Sequence, residues 1–317
     1  MKKLVILLAL ILCVSMFLGA CENAAQEVRL NFATGGVAGT YFPFGGEMAA
    51  VINNHTNIQV TVNASGASAD NVQQIGNGDS QLAIVQNDVM SYAFHGTGTW
   101  EGRPTITNMA TLMSLYPETV QIIVPADSGI YSVYDLAGKR VSTGAVGSGV
   151  EANALQILGV HGLSPADMTV LHLGFGDSAD VMRDRQLDAF FVTAATPNAA
   201  VLELATSRDL RILSIEPDKI ATLMNNYAFY VEVTVDSSDY TFLTQPVQTV
   251  AVQATLIAST AMSEQVAYDI VKTLIERAGE IAHPRGAYIS AYNAVQSISV
   301  DFHPGAARYF REVGALR

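Results

Sequence analysis

Short runs of β-branched and aliphatic residues alternate along most of the chain with stretches whose apolar positions recur at helical spacing. Val28 to Ala33, Ile58 to Asn63 and Leu82 to Gln86 read as strands. Helical patterns run from the turn ending at Tyr41 to about Asn53 and from Ser68 to Ile75, and a polar, glycine-bearing loop covers His95 to Arg103. A strand followed by a helical return is the pattern of α/β architecture with mainly parallel sheets.

The rhythm changes at Ala110 to Val124, which reads as two extended runs interrupted at Tyr116-Pro117-Glu118. Pro117 has no N–H to give to a ladder, so it predicts a strand leaving one sheet before another begins, as a crossover between two lobes. The alternation then resumes. Asp135 to Arg140 reads as a short helix closed by Gly138, with strands at Arg140 to Thr143, Thr169 to Leu173, Ala189 to Val192 and Leu210 to Ile215. Helices are expected at Ser148 to Leu158, Ser178 to Arg185 and Pro197 to Ala205. Tyr227 to Val235 and Val247 to Ala258 read as strands, and everything after Ser263 as helical, with Val266, Ile270, Leu274 and Ala278 forming one apolar stripe. The expected division is a leader at 1–20, a linker at 21–27, a first lobe beginning at 28–117, a second lobe at 118–230, and return strands with the rest of the first lobe at 231–317.

The leader follows from its charge and length. Lys2 and Lys3 precede an apolar stretch from Leu4 to Leu18, too short for a comfortable membrane span, which reads as a signal peptide. Leu18-Gly19-Ala20-Cys21 resembles the lipobox of bacterial lipoproteins, which implies cleavage before Cys21 and a lipid anchor on it. An ordinary signal peptide with an incidental cysteine is the plainer reading. The 2 cysteines are Cys13 and Cys21, so the body has no thiol for a disulfide, a zinc site or a nucleophile.

With 317 residues, 50% of them hydrophobic and 15% charged, the chain has material for two globular lobes. The net charge is -12 and no Lys/Arg run follows the leader, which argues against nucleic acid as a partner. That field also repels anions. An anion site here must be built locally from backbone N–H groups and hydroxyls.

Enzyme motifs are missing: there is no phosphate-binding G-x-x-x-x-G-K-[ST], no nucleophile elbow, no H-E-x-x-H and no paired Cys-x-x-Cys in the body. The 6 histidines stand singly, and His283 and His303, each followed by proline, read as helix starts. No cofactor is expected. What remains is a set of glycine- and hydroxyl-rich strand-to-helix turns: Gly35 to Tyr41, Ser65 to Ser68, Gly144 to Gly149 and Thr193 to Pro197. In doubly wound sheets such turns lie at the ligand-binding edge, where a helix N-terminus offers free N–H groups and about half a positive charge. Each also has a purely structural explanation, since Ser148 and Glu151 form a capping pattern and Gly35, Gly36 and Gly39 suit a tight turn.

Taken in order, Gly35-Gly36-Val37-Ala38-Gly39-Thr40-Tyr41-Phe42-Pro43, Leu82 to Asp88, Ser114-Leu115-Tyr116-Pro117-Glu118, Asp135 to Val141, Gly147 to Ala154, Asp188-Ala189-Phe190-Phe191 and His303-Pro304-Gly305-Ala306 resemble the TAXI family of solute receptors for TRAP transporters over nearly the whole body. The resemblance implies a type II periplasmic-binding-protein fold of two α/β lobes with a ligand cleft between them. It implies capture, without catalysis, of a small organic anion such as glutamate, glutamine or a related dicarboxylate, delivered to TRAP membrane permease subunits from outside the cytoplasmic membrane. Ligand contacts would come from Gly36, Thr40, Tyr41, Ser65, Ser68 and Gln86 in the first lobe, Tyr116 at the crossover, and Gly147, Ser148, Gly149, Val150 and Thr193 in the second. Val150 stands where the family often has threonine, so one hydroxyl is missing. A sensor of the same fold signalling to a membrane kinase, and a two-lobed α/β enzyme, are the alternatives.

Overall fold

The computed structural model describes residues 27–317. The leader and the expected lipidation at Cys21 lie outside the described residues. The strands are β1 (Val28–Ala33), β2 (Ile58–Asn63), β3 (Leu82–Gln86), β4 (Met109–Pro125), β5 (Arg140–Ser142), β6 (Thr169–Leu171), β7 (Ala189–Ala194), β8 (Leu210–Ile212), β9 (Val231–Val235) and β10 (Val247–Ser259). The helices are α1 (Tyr41–His55), α2 (Ser68–Asn77), α3 (Asn87–His95), α4 (Gly149–Val160), α5 (Phe175–Arg183), α6 (Ala199–Ala205), α7 (Pro217–Asn226), α8 (Glu264–Glu276) and α9 (Pro304–Glu312).

All ten strands join one sheet in the order β2-β1-β3-β10-β4-β7-β5-β6, with β8 on β4 and β9 on β10. The expectation of mainly parallel pairing holds at the two ends, where β1 pairs in parallel with β2 and β3, and β5 with β6 and β7. It fails in the middle. There the two longest strands, β4 with 17 residues and β10 with 13, run antiparallel to each other and to their neighbours β3 and β7.

The break expected at Pro117 does not occur. Pro117 stays within β4, opposite Gln253 of β10, and the ladder absorbs it through a register shift between Gln253 and Thr255. The two α/β halves therefore share strands rather than a linker.

Local departures have local causes. The short helix expected from Asp135 is a 3-10 turn at Val133–Leu136, capped by Ser132. Helix α5 starts at Phe175, three residues earlier than expected, and α6 starts at Ala199 because Asn198 accepts hydrogen bonds from the N–H groups of Ala200 and Val201. The tail after Ser263 is not one helical run, because 3-10 turns separate α8 from α9. In α8 the buried stripe is Ala267, Ile270, Val271 and Leu274, the 3.6-residue period rather than a strict four.

Each half buries its own apolar clusters. Phe32, Phe44, Tyr116 and Phe310 pack in the first half, and Val141, Ile157, Phe191 and Leu223 in the second. Val235, Tyr240 and Val247 pack with Phe190 and Val192 of the second half, so the chain returns to the first half along β10 itself. Among the described residues no helix is long and apolar enough to cross a membrane.

Candidate functional site

The parallel strands of both halves point their carboxyl ends at the same place. Turns leaving β1, β2 and β3 meet turns leaving β5, β6 and β7, the position at which open α/β sheets bind ligands. Between them lies a cavity of about 270 Å³.

From the first half, Gly36, Thr40 and Tyr41 reach its wall at the start of α1, Ser65 and Ser68 at the start of α2, and Gln86 at the end of β3. The second turn is held from within. Ser65 Oγ donates to Asn71 Oδ1 at 2.6 Å, while Asn71 Nδ2 donates to the carbonyls of Thr34 and Ile84 at 2.6 and 2.7 Å. Ser68 Oγ accepts the Gln86 N–H at 3.1 Å, which ties the third turn to the second.

From the second half come Ser148, Gly149 and Val150 at the start of α4, and Thr193 at the end of β7. Ser148 caps α4 by accepting the Glu151 N–H at 3.1 Å. The Glu151 carboxylate accepts the Gly147 N–H at 2.7 Å, one residue earlier than a standard capping box.

Two expected residues stand back from the cavity. The Gly147 N–H is taken by Glu151 of its own half and its carbonyl accepts the Ala69 N–H of the other half at 3.1 Å, so both polar groups are already engaged. Tyr116 is wholly buried against Phe44, edge-on with ring centroids 5.4 Å apart.

The structure adds two features that sequence reading missed. The turn Leu173 to Asp177, which starts α5, lines the cleft, and Phe175 lies against Gly39 of the opposite half. Glu118 also reaches the cavity wall from the middle of β4 and is 2% exposed. Its Oε2 accepts the Tyr41 hydroxyl at 2.6 Å. Burial pushes the Glu118 carboxyl up to about 8, the Tyr41 hydrogen bond opposing the rise and nearby Asp88 adding to it. An acidic residue inside an otherwise apolar extended run was the available signal.

Behind the cavity a polar network joins the halves. Burial raises Asp88, at the start of α3, to about 6. Its Oδ2 accepts Asn153 Nδ2 of α4 at 3.1 Å, and the same amide donates to Tyr230 Oη at 3.0 Å. Tyr230 donates in turn to Gln156 Oε1 at 2.6 Å.

Among the described residues no lysine, arginine or histidine lines the cavity, and its carboxyl groups are Glu118 and the exposed Asp177. Two buried polar atoms on its wall have no protein partner: Gln86 Oε1 and Thr193 Oγ1, on residues 2% and 3% exposed. Buried polar atoms without a partner cost free energy until one is supplied. Among the described residues no group of His, Cys, Asp and Glu could hold a metal ion. His283 and His303 act as helix caps, accepting the N–H groups of Arg285 at 3.1 Å and Gly305 at 3.3 Å.

The NMT1-like family model matches residues 32–314. Among solved structures, the chain is similar to the alkanesulfonate-binding protein SsuA from Xanthomonas axonopodis pv. citri bound to MOPS, at 17% identity and TM-score 0.52, over 93% of this chain and 82% of that one. It is similar to the periplasmic aliphatic sulphonate binding protein SsuA from Escherichia coli at 14% identity and TM-score 0.50, over 92% and 80% of the two chains. A protein from Bordetella bronchiseptica RB50 matches at 16% identity and TM-score 0.54, over 92% and 90%. At these identities the likeness shows a shared fold, the two-lobed α/β arrangement.

Proposed function

Because the chain belongs to the NMT1-like family, we propose that it is an exported solute-binding receptor that takes a small organic acid into the cleft between its halves and presents it to a membrane permease. The observation that carries this reading is the pair of unpartnered buried atoms, Gln86 Oε1 from one half and Thr193 Oγ1 from the other, on the wall of a single cavity. A ligand that satisfies both stabilises the closed arrangement over the open one, and only such differential contact can drive closure.

The ligand's acid group is held without cationic side chains. Helices α1, α4 and α5 begin at the cavity, so free N–H groups and helix dipoles supply the positive potential. Closure excludes water and strengthens these bonds. A cavity of about 270 Å³ suits a molecule of amino-acid size.

The finer assignments rest on the sequence resemblance: a TRAP-type permease as partner, glutamate, glutamine or a related dicarboxylate as ligand, and a lipid tether at Cys21. The two SsuA neighbours are named for sulfonates, so a short alkanesulfonate belongs beside these ligands in any test. Isothermal titration of the purified body against glutamate, glutamine, 2-oxoglutarate and an alkanesulfonate gives saturable one-site binding for at least one of them, with the ligand recovered unchanged. Absence of heat across that panel overturns the reading.

A further inference from the structure

Glu118 is the feature of the cleft that capture of an anion does not explain. A buried carboxyl is ordinarily matched by a cation or several donors. Glu118 is 2% exposed, receives the Tyr41 hydroxyl at 2.6 Å, and lines a cavity to which the described residues bring no cationic side chain. The groups that face it from the surrounding elements add no positive charge: Tyr41 on α1, Asp88 on α3 and Tyr116 on its own strand. Arg285 acts on Tyr116 and donates to the Thr196 carbonyl. Gln86 Oε1, a second acceptor without a donor, sits on the same wall.

We propose that Glu118 is the specificity-determining residue of the cleft: it accepts a ligand ammonium group, and on doing so passes its own proton to solvent. This rests on the receptor reading above and names the group by which the site separates amino acids from their deaminated counterparts.

The exchange balances. The empty cleft holds a neutral carboxyl, since burial raises Glu118 to about 8. An arriving ammonium keeps its own three hydrogens and pairs with the carboxylate, while the carboxyl proton leaves to buffer. A keto acid or dicarboxylate brings no such partner, leaves Glu118 protonated, and releases nothing.

Titration calorimetry at pH 7 in two buffers of different ionisation enthalpy, phosphate and Tris, counts the protons exchanged. With glutamate or glutamine the count approaches one proton released at pH 7 and falls toward none at pH 9. With 2-oxoglutarate or glutarate no proton is released at either pH. Glu118→Gln preserves an acceptor for Tyr41 and so retains the fold. In this variant the ratio of amino-acid to keto-acid affinity falls at least tenfold and the proton release disappears. Amino-acid binding with no release, or with an affinity ratio unchanged in the variant, overturns this proposal and leaves the receptor reading standing. Binding of keto acids alone does the same. If nothing in the panel binds, both readings fall together.

Discussion

Gly149 of one half faces Gln86 of the other so closely that a β-carbon on the glycine would lie 2.1 Å from Gln86 Oε1. A β-carbon there requires the Gln86 amide, the far end of a flexible side chain on the cavity wall, to leave its place. Gly149→Ala therefore displaces the Gln86 amide from the wall it shares with the ligand. Ligand affinity drops at least tenfold in titration calorimetry, while the far-ultraviolet circular dichroism spectrum is unchanged because alanine suits the first turn of α4.

The Tyr41 hydroxyl donates to Glu118 and both side chains are buried, so its removal leaves a buried acceptor without that donor. Tyr41→Phe costs about 1–3 kcal/mol of stability, read as a lower urea midpoint at unchanged slope. It also raises the Glu118 carboxyl further, since that bond is what opposes the effect of burial.

Stability declines with alkalinity. Glu118 at about 8 and Asp88 at about 6 both hold protons that the unfolded chain releases near its ordinary carboxylate range. Their contribution is fully present below about pH 4 and is lost as pH rises through 6 and then through 8. Denaturation midpoints measured between pH 5 and 9 fall steadily in the parent chain and less steeply in Glu118→Gln.

Asn153 connects Asp88 of one half to Tyr230 behind the other. Asn153→Leu strips both of a donor and costs about 1–3 kcal/mol by chemical denaturation, with Asp88→Asn adding less than its own single effect because the two share one bond.

Lipid attachment, proposed from the run before Cys21, predicts that cells fed a labelled fatty acid incorporate it into the full chain but not into Cys21→Ser.

The cavity's rim was legible in the sequence because its features are local. Gly35 to Tyr41, Ser65 to Ser68 and Ser148 to Val150 each announce a strand-to-helix turn through glycines, hydroxyls and caps within a few residues. Glu118 was not legible in the same way: its burial, its Tyr41 partner and its displaced proton come from α1, α3 and β10, which converge from far along the chain. Tyr116, two residues earlier, was singled out instead, yet the packing of Phe44 draws it into the core. The turn at Phe175 escaped notice because Gly174 and Gly176 flank a helix start that carries no side-chain cap. The central antiparallel pair was misread for a related reason, since nothing near Pro117 records that Gln253 will lie opposite and accommodate it.

Because β4 and β10 pass uninterrupted from one half into the other, any change in the angle between the halves must deform this two-stranded ribbon. The irregular rungs around Pro117 and Gln253, where the ladder is already broken, are where that ribbon bends and twists most cheaply, so the hinge of the mouth is set by a proline and the residue opposite it.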